Sequence, residues 1–397
     1  MRYGSSTLLV AAALAAIPAF AEVGALKDSA LGATFSTLVT TPFAIEGLTN
    51  DDTFLYTPGR ALNAGDPCPV WRTPINSAGL TVVGFVPAPS ATGSCSPSGL
   101  AFGPDGQLYV TQTDRIYRFT PNATTPPTGT VFASGVPGTN GLAFDWNGNL
   151  WTGDGTTGQG RVWKITPSGT VTEMFRVQPM ANEVNLVNGT GGIGRDVRSM
   201  GPGTITVTAT SRNAANTLGS QPLVANGVIF SGRSMFIADT ARGALWRVRM
   251  SSDGTPLTHT GCDSTFTANT LCLDHVWVQH PALEGADGIV ADVNGNIWVD
   301  ANERNAVAFV FRWSGQVVEV FRNSADSVTQ LRNLGPLETP TSPILLGHKF
   351  CTANSDGNRR DNFPSSAGEI GGTGQPKGKI SCLDQFVTIP GGPLPVR

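Results

Sequence analysis

The chain has 397 residues, of which 48 are Gly and 28 Pro, about a fifth of the total, while charged residues make up only 14 % and the formal net charge is −3. No Gly-X-Y period is present, which excludes collagen, and a hydrophobic content of 40 % excludes wholesale disorder. The charge balance provides no basic surface for nucleic acid. What remains is a turn-rich, charge-poor composition that suits many short strands joined by tight turns.

The N-terminus reads as an address. Arg2 precedes an apolar run from Leu8 to Ile17, and Ala19-Phe20-Ala21 follows as a small-x-small cleavage site. Residues 1–21 are expected to be a cleaved signal peptide, because the apolar run is too short to span a bilayer. Residues 22–397 then form one domain, secreted or periplasmic, with no membrane partner after cleavage. All six cysteines lie in that part, and an even count in an exported chain favours disulfides. Fifteen pairings are possible; neighbour pairing (Cys68–Cys95, Cys262–Cys272, Cys351–Cys382) is the simplest. Zinc is the rival reading, but there is no C-x-x-C spacing and the four His do not stand near matching cysteines.

One pattern recurs along the chain. Ser98-Gly-Leu-Ala-Phe-Gly-Pro-Asp-Gly-Gln-Leu-Tyr-Val, Asn140-Gly-Leu-Ala-Phe-Asp-Trp-Asn-Gly-Asn-Leu-Trp-Thr and Asp287-Gly-Ile-Val-Ala-Asp-Val-Asn-Gly-Asn-Ile-Trp-Val align without a gap. Asn226-Gly-Val-Ile-Phe fits after one deletion, and weaker copies begin at Glu46-Gly-Leu-Thr and Ser342-Pro-Ile-Leu. Each unit reads as a hairpin about Asp105-Gly106, Asn147-Gly148 or Asn294-Gly295, dipeptides that supply the positive φ angles of a two-residue turn. Third and fourth strands follow in places, such as Arg161-Val-Trp-Lys-Ile and Gly169-Thr-Val-Thr-Glu-Met-Phe. Four antiparallel strands, six times over, predict an all-β, six-bladed β-propeller. An insertion of about 176–221 separates the third and fourth units and is a candidate lid. Segments 22–45 and 380–390 are candidates to close the ring and leave no open edge.

The residue before each unit's Gly is the informative one: Glu46, Ser98, Asn140, Asn226, Asp287 and Ser342. Equivalent positions of successive blades form a ring about the axis, and all six side chains bear oxygen. Turn chemistry alone also places polar residues before Gly. The common register favours an oxygen cage for one hard divalent cation, with Ca²⁺ preferred over Mn²⁺, Mg²⁺ or Zn²⁺.

Several of these segments together resemble the senescence-marker-protein/gluconolactonase/luciferin-regenerating-enzyme family, in its microbial gluconolactonase-like branch. They are Ile45-Glu46-Gly47, Thr139-Asn140-Gly141-Leu-Ala-Phe-Asp, Ala225-Asn226-Gly227-Val-Ile-Phe, Ala286-Asp287-Gly288-Ile and Ile237-Ala-Asp-Thr. The resemblance implies metal ligation by Glu46, Asn226 and Asp287, and a substrate contact from Asn140. Ser98 and Ser342 complete the ring as further substrate-facing positions. It implies an exported metal-dependent lactonase: the cation polarises the lactone carbonyl and activates water, Asp287 serves as base, and Asn140 steadies the oxyanion. Two departures stand out. The Arg that mammalian-type members carry two residues before the substrate Asn is Gly138 here, and the Asp directly after it is Gly141. Other propeller enzymes (a phosphotriesterase, a lyase, a strictosidine-synthase-like condensing enzyme) and a non-catalytic binding propeller are the alternatives.

Remaining signals are set aside. Gly189-Thr-Gly-Gly-Ile-Gly194 lacks the helix that a dinucleotide site needs. His259, His275, His280 and His348 show no spaced ligand set, and no G-x-S-x-G elbow occurs. Trp146, Trp151, Trp163, Trp246, Trp277 and Trp298 recur at blade positions as packing residues. The expected partner is a small-molecule lactone or ester, bound by a monomer.

Overall fold

A computed structural model describes residues 33–155, 157, 159–177, 225–240, 242–262, 267–325, 327, 332, 335–355 and 377–392. The expected signal peptide, the G-x-G-x-x-G segment and nearly all of the 176–221 insertion lie outside the described residues. Six antiparallel sheets make a six-bladed β-propeller. The first, second, third and fifth are four-stranded and run outward in chain order. The fourth carries two strands, Pro256–Leu257 and Val276–Gln279, against its third, and the sixth takes its outermost strand from early in the chain. Its innermost strands are Thr49–Asn50, Pro97–Phe102, Thr139–Phe144, Ala225–Ser231, Ala286–Ala291 and Pro340–Leu346. Each packs against the next, and the last returns to the first. The sixth blade is closed by strand Phe35–Thr40 pairing with Lys379–Leu383, so the two chain ends share one sheet as the sequence suggests. The closure removes the open edge that a linear array of sheets would expose.

Alternating strand residues turn their apolar side chains toward neighbouring sheets, and six hydrophobic clusters result, one between each pair of blades. Trp151 and Trp246 are fully buried together between blades three and four, and Trp298 is buried between five and six. Burial of such a side chain contributes about 2–3 kcal/mol. Trp146 and Trp277 are only half-buried, each edge-on to a phenylalanine, Phe230 and Phe236.

The inner hairpin differs from its expected form. A two-residue turn would need positive φ at both central positions, whereas only Gly106, Gly148 and Gly295 have it, at 74°, 76° and 79°. The Gly103 amide donates to Gln107 O at 2.9 Å across a three-residue loop, and the amide of Gly106 returns to Gly103 O at 2.9 Å. This is a type I turn followed by a left-handed glycine, the three-residue solution to the same reversal. In blades three and five an aspartate locks it: Asp145 Oδ1 accepts from the amides of Asn147 and Asn149, and Asp292 Oδ1 from those of Asn294 and Asn296.

All three neighbour cystine pairings are present: Cys68–Cys95, Cys262–Cys272 and Cys351–Cys382. The first ties blade one to the entry of blade two. The third crosses directly between paired strands of the closing blade. Among the described residues no helix is long and apolar enough to cross a membrane.

Candidate active site

The ring begins with the backbone. In four blades the strand register slips at the ring residue and its glycine: between Pro97 and Leu100, Thr139 and Leu142, Ala225 and Val228, and Ala286 and Ile289. Each slip is a bulge that turns the polar side chain out of the sheet. The glycine is there because nothing larger fits. A Cβ on Gly47 would stand 2.3 Å from Ser98 O, one on Gly99 2.1 Å from Asn140 O, one on Gly227 2.5 Å from Asp287 O, and one on Gly288 2.3 Å from Thr341 O. Inner strands therefore touch backbone to backbone around the axis. The circle closes where the Thr341 hydroxyl donates to Glu46 O at 2.6 Å. Glu46 itself precedes the short first inner strand, next to the isolated bridge between Ile45 and Gly59.

Asn140, Asn226 and Asp287 are buried, at 6 %, 4 % and 5 % exposure, Glu46 is mostly buried, and Ser98 and Ser342 are half-buried. Glu46 and Asn140 meet although their blades are not neighbours: Asn140 Nδ2 donates to Glu46 Oε1 at 3.0 Å. Asn226 donates through Nδ2 to the Thr240 hydroxyl at 3.2 Å, a bond in which its amide oxygen takes no part. Thr240 in turn donates to Ala286 O at 2.7 Å, tying blade four to the strand that carries Asp287. Asp287 Oδ2 accepts from Asn302 Nδ2 at 2.7 Å.

Three contributors were missed in the sequence. Arg60 donates to Glu46 Oε2 at 3.0 Å and brings a positive charge to a ring read as purely oxygen-bearing. Asn302 orients Asp287. Asp300 lies beneath, fully buried, with Oδ2 accepting from the Thr352 hydroxyl and Oδ1 without a hydrogen-bond partner among the described residues. Burial pushes its carboxyl well above the usual carboxylate range; the Thr352 hydrogen bond opposes this, and the charge on Asp287 adds to it. The equivalent position in blade two holds Thr111, whose hydroxyl donates to Gly99 O, and in blade one the hydroxyl of nearby Thr57 donates to Gly47 O. All three missed residues stand at or beyond the end of a second strand, where no repeated dipeptide marks the register.

The departure at Gly138 has a physical cause. Its φ is 79°, and a Cβ there would meet Asp154 Oδ1 at 2.0 Å. Asp154 is fully buried and paired with Arg161 at 2.9 Å, so no arginine can stand at 138. Gly141 is equally confined, its Cβ position lying 3.0 Å from Asn226 O.

The ring adjoins a channel cavity, which Ser342 and four of the ring glycines also line. The cavity, of about 1010 Å³, follows the inner strands from their glycines to the hairpin turns. Leu48, Leu100, Leu142, Val228, Ile289 and Ile344 line it at one level, and Asp51, Asp105, Asp292 and Arg312 add charged groups toward the turns. Tyr56 and Arg72 line its rim; burial and the hydrogen bond to Asp51 push the Tyr56 phenol up.

A six-bladed propeller with a polar ring at the start of its inner strands is the class that fold and site define. No protein-family model matches the sequence, and no curated protein matches it. Among solved structures, a luciferin-regenerating enzyme is similar at TM-score 0.53 and 12 % identity, over 92 % of this chain and all of that one. A regucalcin from Agrobacterium tumefaciens, described as calcium-binding, is similar at TM-score 0.51 and 17 % identity over 91 % and 97 %. A structure described as a gluconolactonase matches at TM-score 0.50. An aldose sugar dehydrogenase from Streptomyces coelicolor in its PQQ-bound form matches at TM-score 0.53 and 14 % identity over 89 % and 98 %. At these identities the likeness is one of fold, and the chemistry has to be argued from the ring.

Proposed function

We propose that the protein is an exported metal-dependent hydrolase that opens a small lactone or cyclic ester at the polar ring, acting as a monomer. The observation that carries this reading is the hydrogen bond between Glu46 and Asn140, which brings side chains of two non-adjacent blades together over the axis. The donor set fits a hard divalent cation, with Ca²⁺ preferred: two carboxylates and an amide oxygen, all largely withdrawn from solvent. Glu46 keeps free lone pairs despite Arg60 and Asn140, since a carboxylate offers about four acceptor sites. Held by Glu46, Asn226 and Asp287, the cation supplies Lewis acidity toward a carbonyl and lowers the pKa of water.

The remaining chemistry belongs to the side chains. Asp287, held by Asn302, takes the proton from the attacking water. Asn140 donates to the oxygen on which charge develops. Arg60 supplies, from blade one, the cationic contact that Gly138 cannot carry, and orients the polar groups of the substrate. Hydrolysis of a panel of aldonolactones, acyl lactones and phosphotriesters, with chelator and after re-addition of single divalent ions, tests the reading. Chelator-sensitive lactone opening is the expected result. Full activity of the metal-free protein overturns it, and activity confined to phosphotriesters moves the assignment to the alternative enzyme class.

A further inference from the structure

Outside the channel, the described residues hold one cluster of metal-ligating side chains: His259, Cys262 and Cys272, whose donor atoms all lie within 4.8 Å of one another. It sits on the excursion between the two outer strands of blade four, Pro256–Leu257 and Val276–Gln279. The two cysteines form a disulfide. His259 Nε2 stands 3.7 Å from Cys262 Sγ. Two ligands on one tetrahedral zinc, at Zn–S of about 2.3 Å and Zn–N of about 2.0 Å, stand about 3.5 Å apart. The imidazole is thus already placed as a co-ligand to the sulfur beside it.

Its orientation is set from behind. His259 Nδ1 is 2.7 Å from Asp274 Oδ2, so the ring donates there and turns the bare Nε2 toward the sulfurs. A carboxylate behind an imidazole is the usual outer-shell arrangement of a metal-bound histidine. The main chain of His259 is pinned too: its amide donates to His275 Nε2 at 2.7 Å, and its carbonyl accepts from Cys272 N at 2.9 Å. A bridge between Thr260 and Leu271 joins the same two segments, and Leu271 is fully buried among the Trp151, Phe175 and Trp246 cluster. The segments that carry the two sulfurs are held together without the disulfide.

We propose that this cluster is a redox-gated metal site, closed while Cys262 and Cys272 are joined and able, once they are reduced, to bind Zn²⁺ through two thiolates and His259 Nε2. A dithiol reductant supplies two electrons and two protons to the S–S bond and becomes a disulfide itself. Metal binding then displaces the two thiol protons to solvent, and water takes the fourth position. Cys262 is exposed, whereas the cysteines of the other two disulfides are at most 3 % exposed, so mild reduction opens this bond first.

Co²⁺ is the probe, because a thiolate–cobalt charge-transfer band cannot arise from the oxygen ligands of the ring. The intact protein is treated with a dithiol until mass spectrometry after alkylation counts two thiols, then titrated with Co²⁺ and competed with Zn²⁺. One equivalent of thiolate-bound cobalt is expected in the reduced protein and none in the oxidised one. C272S abolishes the band; H259A weakens binding at least tenfold, and D274N about tenfold. No band after selective reduction, or one unchanged in H259A, overturns the proposal. So does a disulfide that opens only when near-ultraviolet circular dichroism reports loss of the fold. Lactone hydrolysis by the oxidised protein is read in parallel, and its presence or absence bears only on the ring.

Discussion

Successive levels of the channel are built from the same six strands and differ in chemistry. At the start of each strand stand carboxylates, amides and hydroxyls: Glu46, Asn140, Asn226 and Asp287 with Ser98 and Ser342. Two residues further on stand Leu48, Leu100, Leu142, Val228, Ile289 and Ile344. Beyond that aliphatic layer, toward the hairpin turns, the cavity is also lined by Asp51, Tyr56, Arg72, Asp105, Asp292 and Arg312. The contrast arises because strand direction is common to all blades, so one register position repeated six times populates one level only.

The comparison breaks most visibly if chemistry is lost from the polar level and not from the aliphatic one. Replacement of Asp287 by Ala should lower kcat for lactone opening about a thousandfold, since Lewis-acid stabilisation of several kcal/mol converts to that factor. Thermal melting without added metal checks that the fold survives. Gly99→Ala tests the seam between the two levels. Its Cβ has no room beside Asn140 O, and a loss of about 3 kcal/mol in denaturant-derived stability is expected. At the aliphatic level Leu100→Ala should cost about 2–3 kcal/mol of stability and leave kcat within about twofold. Arg60→Ala should raise KM about tenfold with a smaller change in kcat, as the loss of one charge-assisted contact at a half-exposed site implies. Equal falls in kcat and kcat/KM would place Arg60 in the transition state instead.

The smallest effect concerns Asp300. Its carboxyl is raised in the folded state, so the native protein binds a proton that the unfolded chain has released. Stability from this group is therefore present at low pH and is lost as pH rises from the ordinary aspartate value of about 4 through the raised one. Asp300→Asn removes that loss. The variant should melt higher than the parent at neutral pH, and the difference should shrink as the pH is lowered toward 4. A difference that grows on acidification would contradict the assignment.

Much of this was legible in advance. A polar residue before glycine, recurring with a turn glycine eight residues later, marked three blades without ambiguity, because one steric demand and one positive φ fall at fixed offsets. The sixth unit was harder to read, since Pro343 replaces the ring glycine. Arg60, Asn302 and Asp300 were not legible. They come from the ends of second strands, where side-chain identity is set by what the neighbouring blade presents. The turns were assigned to the right glycines and the wrong loop length, since Asp-Gly and Asn-Gly suit both hairpin types. His259 stands three residues before Cys262 but was set aside for want of a spaced ligand set, because its second cysteine neighbour, Cys272, is brought alongside only by the pairing of Thr260 with Leu271.

The seam at Thr341 and Glu46 has a consequence for how the molecule comes into being. The carboxylate belongs to the first unit to emerge during synthesis, and the hydroxyl that holds its backbone to the last. Until strand Lys379–Leu383 has paired with Phe35–Thr40, Glu46 has no fixed place relative to Asp287. A partly made or clipped chain therefore has no diminished version of the site, only its separate pieces.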